Sequence, residues 1–111
     1  MPQLPFFVSA EIDIAKLRDY CLSASHPRGR HKARTFQAAL GVTAENAEWL
    51  RQEILAALPD AVAERQESDE YGERWQVDVL LTRQNRRSVI KTIWMIRHGS
   101  GEPRLVTCWL A

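Results

Sequence analysis

Between His26 and Phe36 the chain reads His-Pro-Arg-Gly-Arg-His-Lys-Ala-Arg-Thr-Phe, so that Arg28, Arg30, Lys32 and Arg34 share eleven residues with His26 and His31. Fixed cations beside an imidazole that titrates near neutral pH can bind a phosphate or carboxylate and move a proton. Their local setting favours this chemistry. His26 is extended, because the ring of Pro27 pushes the preceding residue out of the helical region. Gly29 supplies a bend, and a helix over 30–40 follows, stopped by Gly41. First-turn N–H groups of a helix lack internal partners and attract anions. Arg30, Lys32 and Arg28 at that start therefore make a candidate phosphate or carboxylate site. The plain alternative is a solvated basic helix start carrying ordinary surface charges.

The helix that presents these groups has Ala33, Phe36 and Leu40 on one apolar stripe at about 100° per residue. Lys32 and Arg30 fall on its flanks, where each lays an aliphatic stem on the core and holds its charge at the rim. His31 lies on the far side. Before this helix, the spacing predicts an irregular lead-in over 1–12, with Phe6 and Phe7 tucked against the core, and a first helix over 14–23. That helix has Asp13 as N-cap, an inward stripe of Ile14, Leu17 and Cys21, and Tyr20 beside the stripe. A third helix over 44–58 follows Thr43, from Ala47, Leu50, Ile54 and Leu58, and Pro59 ends it.

After Pro59 the period changes. A weak strand over 61–66 is followed by strands over 74–82, 88–98 and 104–110, separated by polar turns at 68–73, 83–87 and 99–103. The expected fold is α+β, three N-terminal helices followed by a four-stranded antiparallel sheet in a single domain over 1–111. With five-residue turns, Trp75, Val77, Val79 and Leu81 share the helix-covered face with Val89, Ile93, Met95, Leu105 and Trp109. The other face carries Arg74, Gln76, Asp78, Thr92, Trp94 and His98, with apolar Ile90, Ile96, Val106 and Cys108. A one-residue slip exchanges the faces.

Composition narrows the function classes. The chain has 111 residues, enough to bury about 65% of its unfolded surface. Its net charge of +1 excludes a bulk polycation, so nucleic-acid contact needs a local patch. Cys21 and Cys108 lie in apolar patterns without metal-ligand spacing and read as reduced core thiols of a cytoplasmic protein, with a buried disulfide between them as the alternative. The opening Met-Pro-Gln-Leu-Pro-Phe-Phe has no basic region or long apolar core of a signal peptide, and no run reaches membrane-spanning length, so no membrane association is expected. His26, His31 and His98 form no metal-binding spacing, and no phosphate-loop or dinucleotide fingerprint occurs, so no metal and no cofactor is expected.

Four stretches together resemble a bacterial family of domains of unknown function. They are Gly29-Arg30-His31-Lys32-Ala33-Arg34-Thr35-Phe36, the Ala15–Tyr20 segment, Thr92-Ile93-Trp94 and Arg104-Leu105-Val106-Thr107, which follow the family's order over nearly the whole chain. The resemblance implies a small domain that occurs alone and at the ends of polymorphic-toxin chains. Helices followed by an antiparallel sheet look like the barnase, EndoU, colicin and RelE group of metal-independent ribonucleases, an analogy of fold.

Such cleavage needs a base for the 2′-OH proton, an acid for the leaving oxygen and cations for the charge growing on the phosphate. His31 suits base or acid. Lys32 and Arg30 would stabilise the charged intermediate, and Arg74 would join them from the sheet. Thr92 or Thr107 would hydrogen-bond a phosphate oxygen, and Trp94 would stack a base. For Thr92 and Trp94 the alternative is simple strand and core packing. The leading expectation is a toxin-type endoribonuclease acting on RNA. The rival is a non-catalytic module that docks a protein partner, as half of a toxin–antitoxin or effector–immunity pair. Convergence of Arg30, His31, Lys32 and the Thr92–Trp94 strand on one concave site distinguishes them.

Overall fold

The computed structural model describes residues 3–99 and 101–111; Met1 and Pro2 of the expected lead-in and Ser100 of the expected third turn lie outside the described residues. In the lead-in, Leu4 is buried and Phe7 packs against the core, while Phe6 is exposed, contrary to the expected tucking of both phenylalanines. Asp13 is extended, and its carboxylate accepts a hydrogen bond from the Ala15 N–H at 3.0 Å, an N-cap.

The segment that follows corrects the expected fold. In place of a helix over 14–23 there is one turn, α1 (Ile14–Lys16), continued as a π-helical turn over Leu17–Cys21. The Leu22 N–H reaches the Leu17 carbonyl, five residues back, at 2.8 Å. At about 100° per residue Leu22 would lie about 140° from Leu17. The wider turn swings it inward, and Leu17, Cys21 and Leu22 are all buried. Two α-helices longer than one turn, not three, precede the sheet: α2 (Arg30–Leu40) and α3 (Ala47–Ala57). The chain is α+β, with a four-stranded antiparallel sheet.

Helix α2 buries Ala33, Phe36 and Leu40 and stops at Gly41, whose φ of 65° lets the Val42 N–H fold back to the Phe36 carbonyl at 3.3 Å. Thr43 and Asn46 form a reciprocal cap, through a 3-10 turn (Ala44–Asn46), at the entry to α3. Ala47, Leu50 and Ile54 face inward, and a 3-10 turn (Leu58–Asp60) containing Pro59 closes that helix.

The strands β1 (Ala63–Ser68), β2 (Gly72–Arg83), β3 (Arg86–Arg97) and β4 (Pro103–Leu110) lie in sequence order. Only Gln84 and Asn85 connect β2 to β3. Both have positive φ, 50° and 65°, the two-residue turn whose twist matches that of the strands. Arg83 thus pairs with Arg86, Val77 with Thr92 and Trp75 with Trp94. This differs by one residue from the register a five-residue turn would give, and it exchanges the faces of β3. Ile90, Thr92, Trp94 and Ile96 are buried, whereas Val89, Ile93 and Met95 join Arg74, Gln76 and Asp78 on the open face. In β4 one extra residue, Val106, bulges between the pairs Ile93–Thr107 and Trp94–Leu105, so that Leu105 and Cys108 are both buried while Trp109 pairs with Lys91.

Thr92 is the one buried polar residue among those described. Its hydroxyl donates to the Val77 carbonyl at 2.7 Å and accepts from the Trp94 indole N–H at 2.8 Å. Both residues are fully buried because they build this polar pair within the core. Thr92→Val keeps the shape but strands the indole N–H, so urea denaturation should show a loss of about 1–3 kcal/mol. An unchanged midpoint and slope would show that the pair contributes nothing to stability.

Candidate functional site

The start of α2 is held against the π turn by a very close backbone approach. A Cβ placed on Gly29 would lie 2.0 Å from the Tyr20 carbonyl oxygen, so only glycine fits. His26 secures the loop from the other side. Its Nδ1 accepts hydrogen bonds from the Arg28 and Gly29 N–H groups, each at 3.0 Å, and its carbonyl accepts from the Arg30 N–H at 3.0 Å. The imidazole also stands edge-on to the Tyr20 ring, 4.7 Å between centroids. With its Nδ1 lone pair engaged by the backbone, His26 positions the loop.

This docking carries Lys32 to the outer edge of the sheet. Half-buried, its ammonium donates to the Thr107 hydroxyl at 2.7 Å and lies 5.1 Å from the Tyr20 ring centroid and 5.7 Å from that of Trp109. Thr107 follows the bulged Val106, and such a bulge re-aims side chains at a sheet edge. A cavity of about 540 Å³ opens here, lined by Lys16, Asp19, Tyr20, Lys32, Val106 and Thr107 among others. The Asp19 carboxyl is held below the usual carboxylate range by its hydrogen bond from Arg18.

Two thiols lie directly behind. Cys21 and Cys108 are buried and free, and Cys21 Sγ is 3.9 Å from the Thr107 hydroxyl. The hydrogen bond from Cys108 is the main influence holding the Cys21 thiol down to about 6, helped by the Cys108 backbone, Thr107 and the Lys32 charge, against the opposing effect of burial. The same bond, burial and the charge on Cys21 push Cys108 well up. The two thiols are thus driven in opposite directions, Cys21 down and Cys108 up.

Of the residues singled out in the sequence, Lys32 and Thr107 come together. Thr92 and Trp94 do not join them, since the two-residue turn sends both into the core. Arg30 and His31 are exposed on the helix, with no side-chain partner among the described residues. Arg74 stands on the open sheet face, 3.9 Å from Asp69. The sequence reading missed Tyr20 and Trp109 as members of the site. The alternation of β4 did mark Trp109, but only the bulge and the Gly29 contact bring it near Lys32.

Among the described residues no three His, Cys, Asp or Glu side chains gather as a metal site, and no helix is long and apolar enough to cross a membrane. The family model described as Domain of unknown function (DUF6883) matches residues 3–111. No curated protein and no solved structure matches the chain.

Two measurements check this geometry. Gly29→Ala must part α2 from the π turn, and thermal or urea unfolding should show a loss of at least about 1–3 kcal/mol; wild-type stability would refute the close approach. Ultraviolet thiolate absorbance should titrate near pH 6 and disappear in Cys21→Ser, and Lys32→Ala should move it upward. Because folding depresses this pKa, its ionisation stabilises the fold fully above the ordinary thiol value of 9.0, and that contribution is lost as the pH falls through about 6.

Proposed function

We propose, for a chain that belongs to the DUF6883 family of domains of unknown function, that the Lys32 centre binds the phosphate of an RNA backbone and cleaves it without a metal ion. The observation behind this reading is the ammonium of Lys32, fixed by the Thr107 hydroxyl at 2.7 Å between two aromatic rings. As the RNA 2′-oxygen attacks the neighbouring phosphorus, negative charge grows on the non-bridging oxygens. A cation already in place neutralises it without reorganisation. Thr107 accepts from Lys32, and its own O–H, which faces Cys21 Sγ at 3.9 Å, would turn from the sulfur to a phosphate oxygen when RNA binds. Of the groups beside Lys32, the Tyr20 phenol is assigned the proton transfer: it would give its proton to the departing 5′-oxygen, while the attacking 2′-OH would lose its own to water, from which the phenol is then restored. Trp109 offers a flat face for a base. In this reading the protein is a toxin-type endoribonuclease of the bacterial cytoplasm, restrained by an antitoxin or immunity partner.

One observation favours a second, non-catalytic reading. Arg28, Arg30, His31 and Arg34 are all exposed, and their side chains have no ion pair among the described residues. Such a surface suits an acidic protein partner.

Incubation of the purified protein with total RNA and a chelator separates the readings. Wild-type protein should cleave RNA. Lys32→Ala should stay folded and lose about 10²–10³-fold in rate, the scale of one preorganised charge donor. Tyr20→Phe keeps the ring beside Lys32 and should retain RNA binding while cleavage falls. His31→Ala should cleave as wild type. Intact RNA at every pH tried would remove the enzyme reading and leave partner binding.

A further inference from the structure

A second and larger cavity, about 1160 Å³, adjoins the Lys32 centre, and the two share Lys16 and Val106 as lining residues. Pockets for drug-sized ligands occupy about 300–1,000 Å³, so a space of this size extending from a second cavity fits an elongated ligand better than a single small molecule. Its charge leans positive. Lys16, Arg51, Arg97 and Arg104 line it against Glu11 and Asp13, and since Arg51 is paired with Glu48, the excess is one positive charge (four minus three). Glu11 engages Arg104 only at 3.9 Å, at a solvent-exposed pair, while the side chains of Lys16 and Arg97 have no hydrogen bond or ion pair among the described residues. The Arg51 Nε is buried without a partner. Beside these cations Tyr71 is 68% exposed, and Met95 and Val106 add half-buried apolar surface. Two unpaired cations, Lys16 and Arg97, with Arg104 only loosely held by Glu11 and an exposed aromatic ring beside them, match the two demands of single-stranded nucleic acid: phosphates to neutralise and bases to stack. A duplex hides its base faces and gains nothing from the ring.

We propose that this cleft is a binding track for single-stranded RNA, with Arg97 and Arg104 on consecutive phosphates, Tyr71 against a base, and Lys16 leading the strand to Lys32. The direction of the track rests on the ribonuclease reading of the Lys32 centre; binding in the cleft does not. Arg97 and Arg104 reach the cleft from adjacent strands, through the register that pairs Met95 with Arg104, so the sheet itself sets their spacing.

Fluorescence anisotropy of a short single-stranded RNA, methylated at every 2′-oxygen so that it stays intact, measures the track independently of cleavage. With the full chain, affinity should fall with salt. Replacing both Arg97 and Arg104 by alanine should lower the logarithmic salt slope by about 1.4, two contacts at about 0.7 each, and weaken binding by about 25-fold near 0.1 M salt. Both residues are exposed, so the fold should survive; replacing both by lysine should restore most of the affinity. Tyr71→Ala should cost about ten-fold. Arg30→Ala with Arg34→Ala should stay within about two-fold of wild type. Equal binding by wild type and the double alanine variant overturns the track, as does an RNA duplex bound equally well. Displacement by polyglutamate at equal charge would assign the cleft to an acidic protein instead. If native RNA is cut but the alanine pair changes neither binding nor cutting, the track fails and the ribonuclease reading stands. If nothing is cut yet the pair abolishes binding, the ribonuclease reading fails and the track stands.

Discussion

The contact between Gly29 and the Tyr20 carbonyl is the constraint on which the rest of the site depends. It is possible only because position 29 has no side chain and because the segment before it widens into a π turn. The same turn swings Leu22 into the core and leaves Cys21 facing β4. Once α2 is seated, its apolar stripe fixes its rotation, since Ala33, Phe36 and Leu40 must all be covered. Lys32, one position before that stripe, then has a single place to go: the sheet edge, where a hydroxyl and two rings receive its charge. The motif from Gly29 to Phe36 thus joins a backbone contact, a core stripe and one polar group in a single rigid unit.

The sheet contributes two irregularities of different kinds. The Gln84–Asn85 turn sets register and thereby decides that the Thr92–Trp94 hydrogen bond is internal. The bulge at Val106 breaks the alternation of β4, so that Leu105 and Cys108 are buried although three residues apart, and Thr107 is aimed at the edge. The first device makes a polar pair structural. The second makes another polar group available. Two threonines that look alike in sequence, each inside an apolar strand, are separated by these local backbone choices.

The sequence was most legible where local chemistry is decisive. Helix α2 shows itself through its apolar stripe and Gly41, and Lys32 on the flank of that stripe follows from helical geometry. The first helix was misread because 3.6-residue periodicity accounts for Leu17 and Cys21 but not for buried Leu22, whose inward turn needs the π geometry. Register was misread because Arg83, Arg86 and Arg87 make the connection look like a five-residue polar loop. Long arginine side chains can flank a tight turn as strand residues, and the central pair lacks the glycine that usually marks one. That error of one residue moved Thr92 and Trp94 to the wrong face. Tyr20 and Trp109 were invisible as site residues because they meet Lys32 from distant parts of the chain, across contacts that no spacing rule encodes.

A chain of net charge +1 presents concentrated positive surface by pairing its other charges selectively. Arg18 pairs with Asp19, Arg51 with Glu48, Arg65 with Glu73, and Lys91 with Asp78, all on exposed or half-exposed surface. Exposed pairs of this kind add about 0–1 kcal/mol each to stability. Their larger effect is to silence charge locally, so that the far field comes from the groups left over. Those groups are not scattered evenly: Arg28, Arg30 and Arg34 stand on one end of α2, Lys16 and Arg97 stand in the large cleft, and Arg86 and Arg87 stand at the β2–β3 turn. A polyanion approaching within a Debye length, about 8–10 Å, meets these regions rather than an average of the whole surface. Selectivity among them then falls to what surrounds the charge: a bare helix face, a hairpin turn, or a cleft with an aromatic ring.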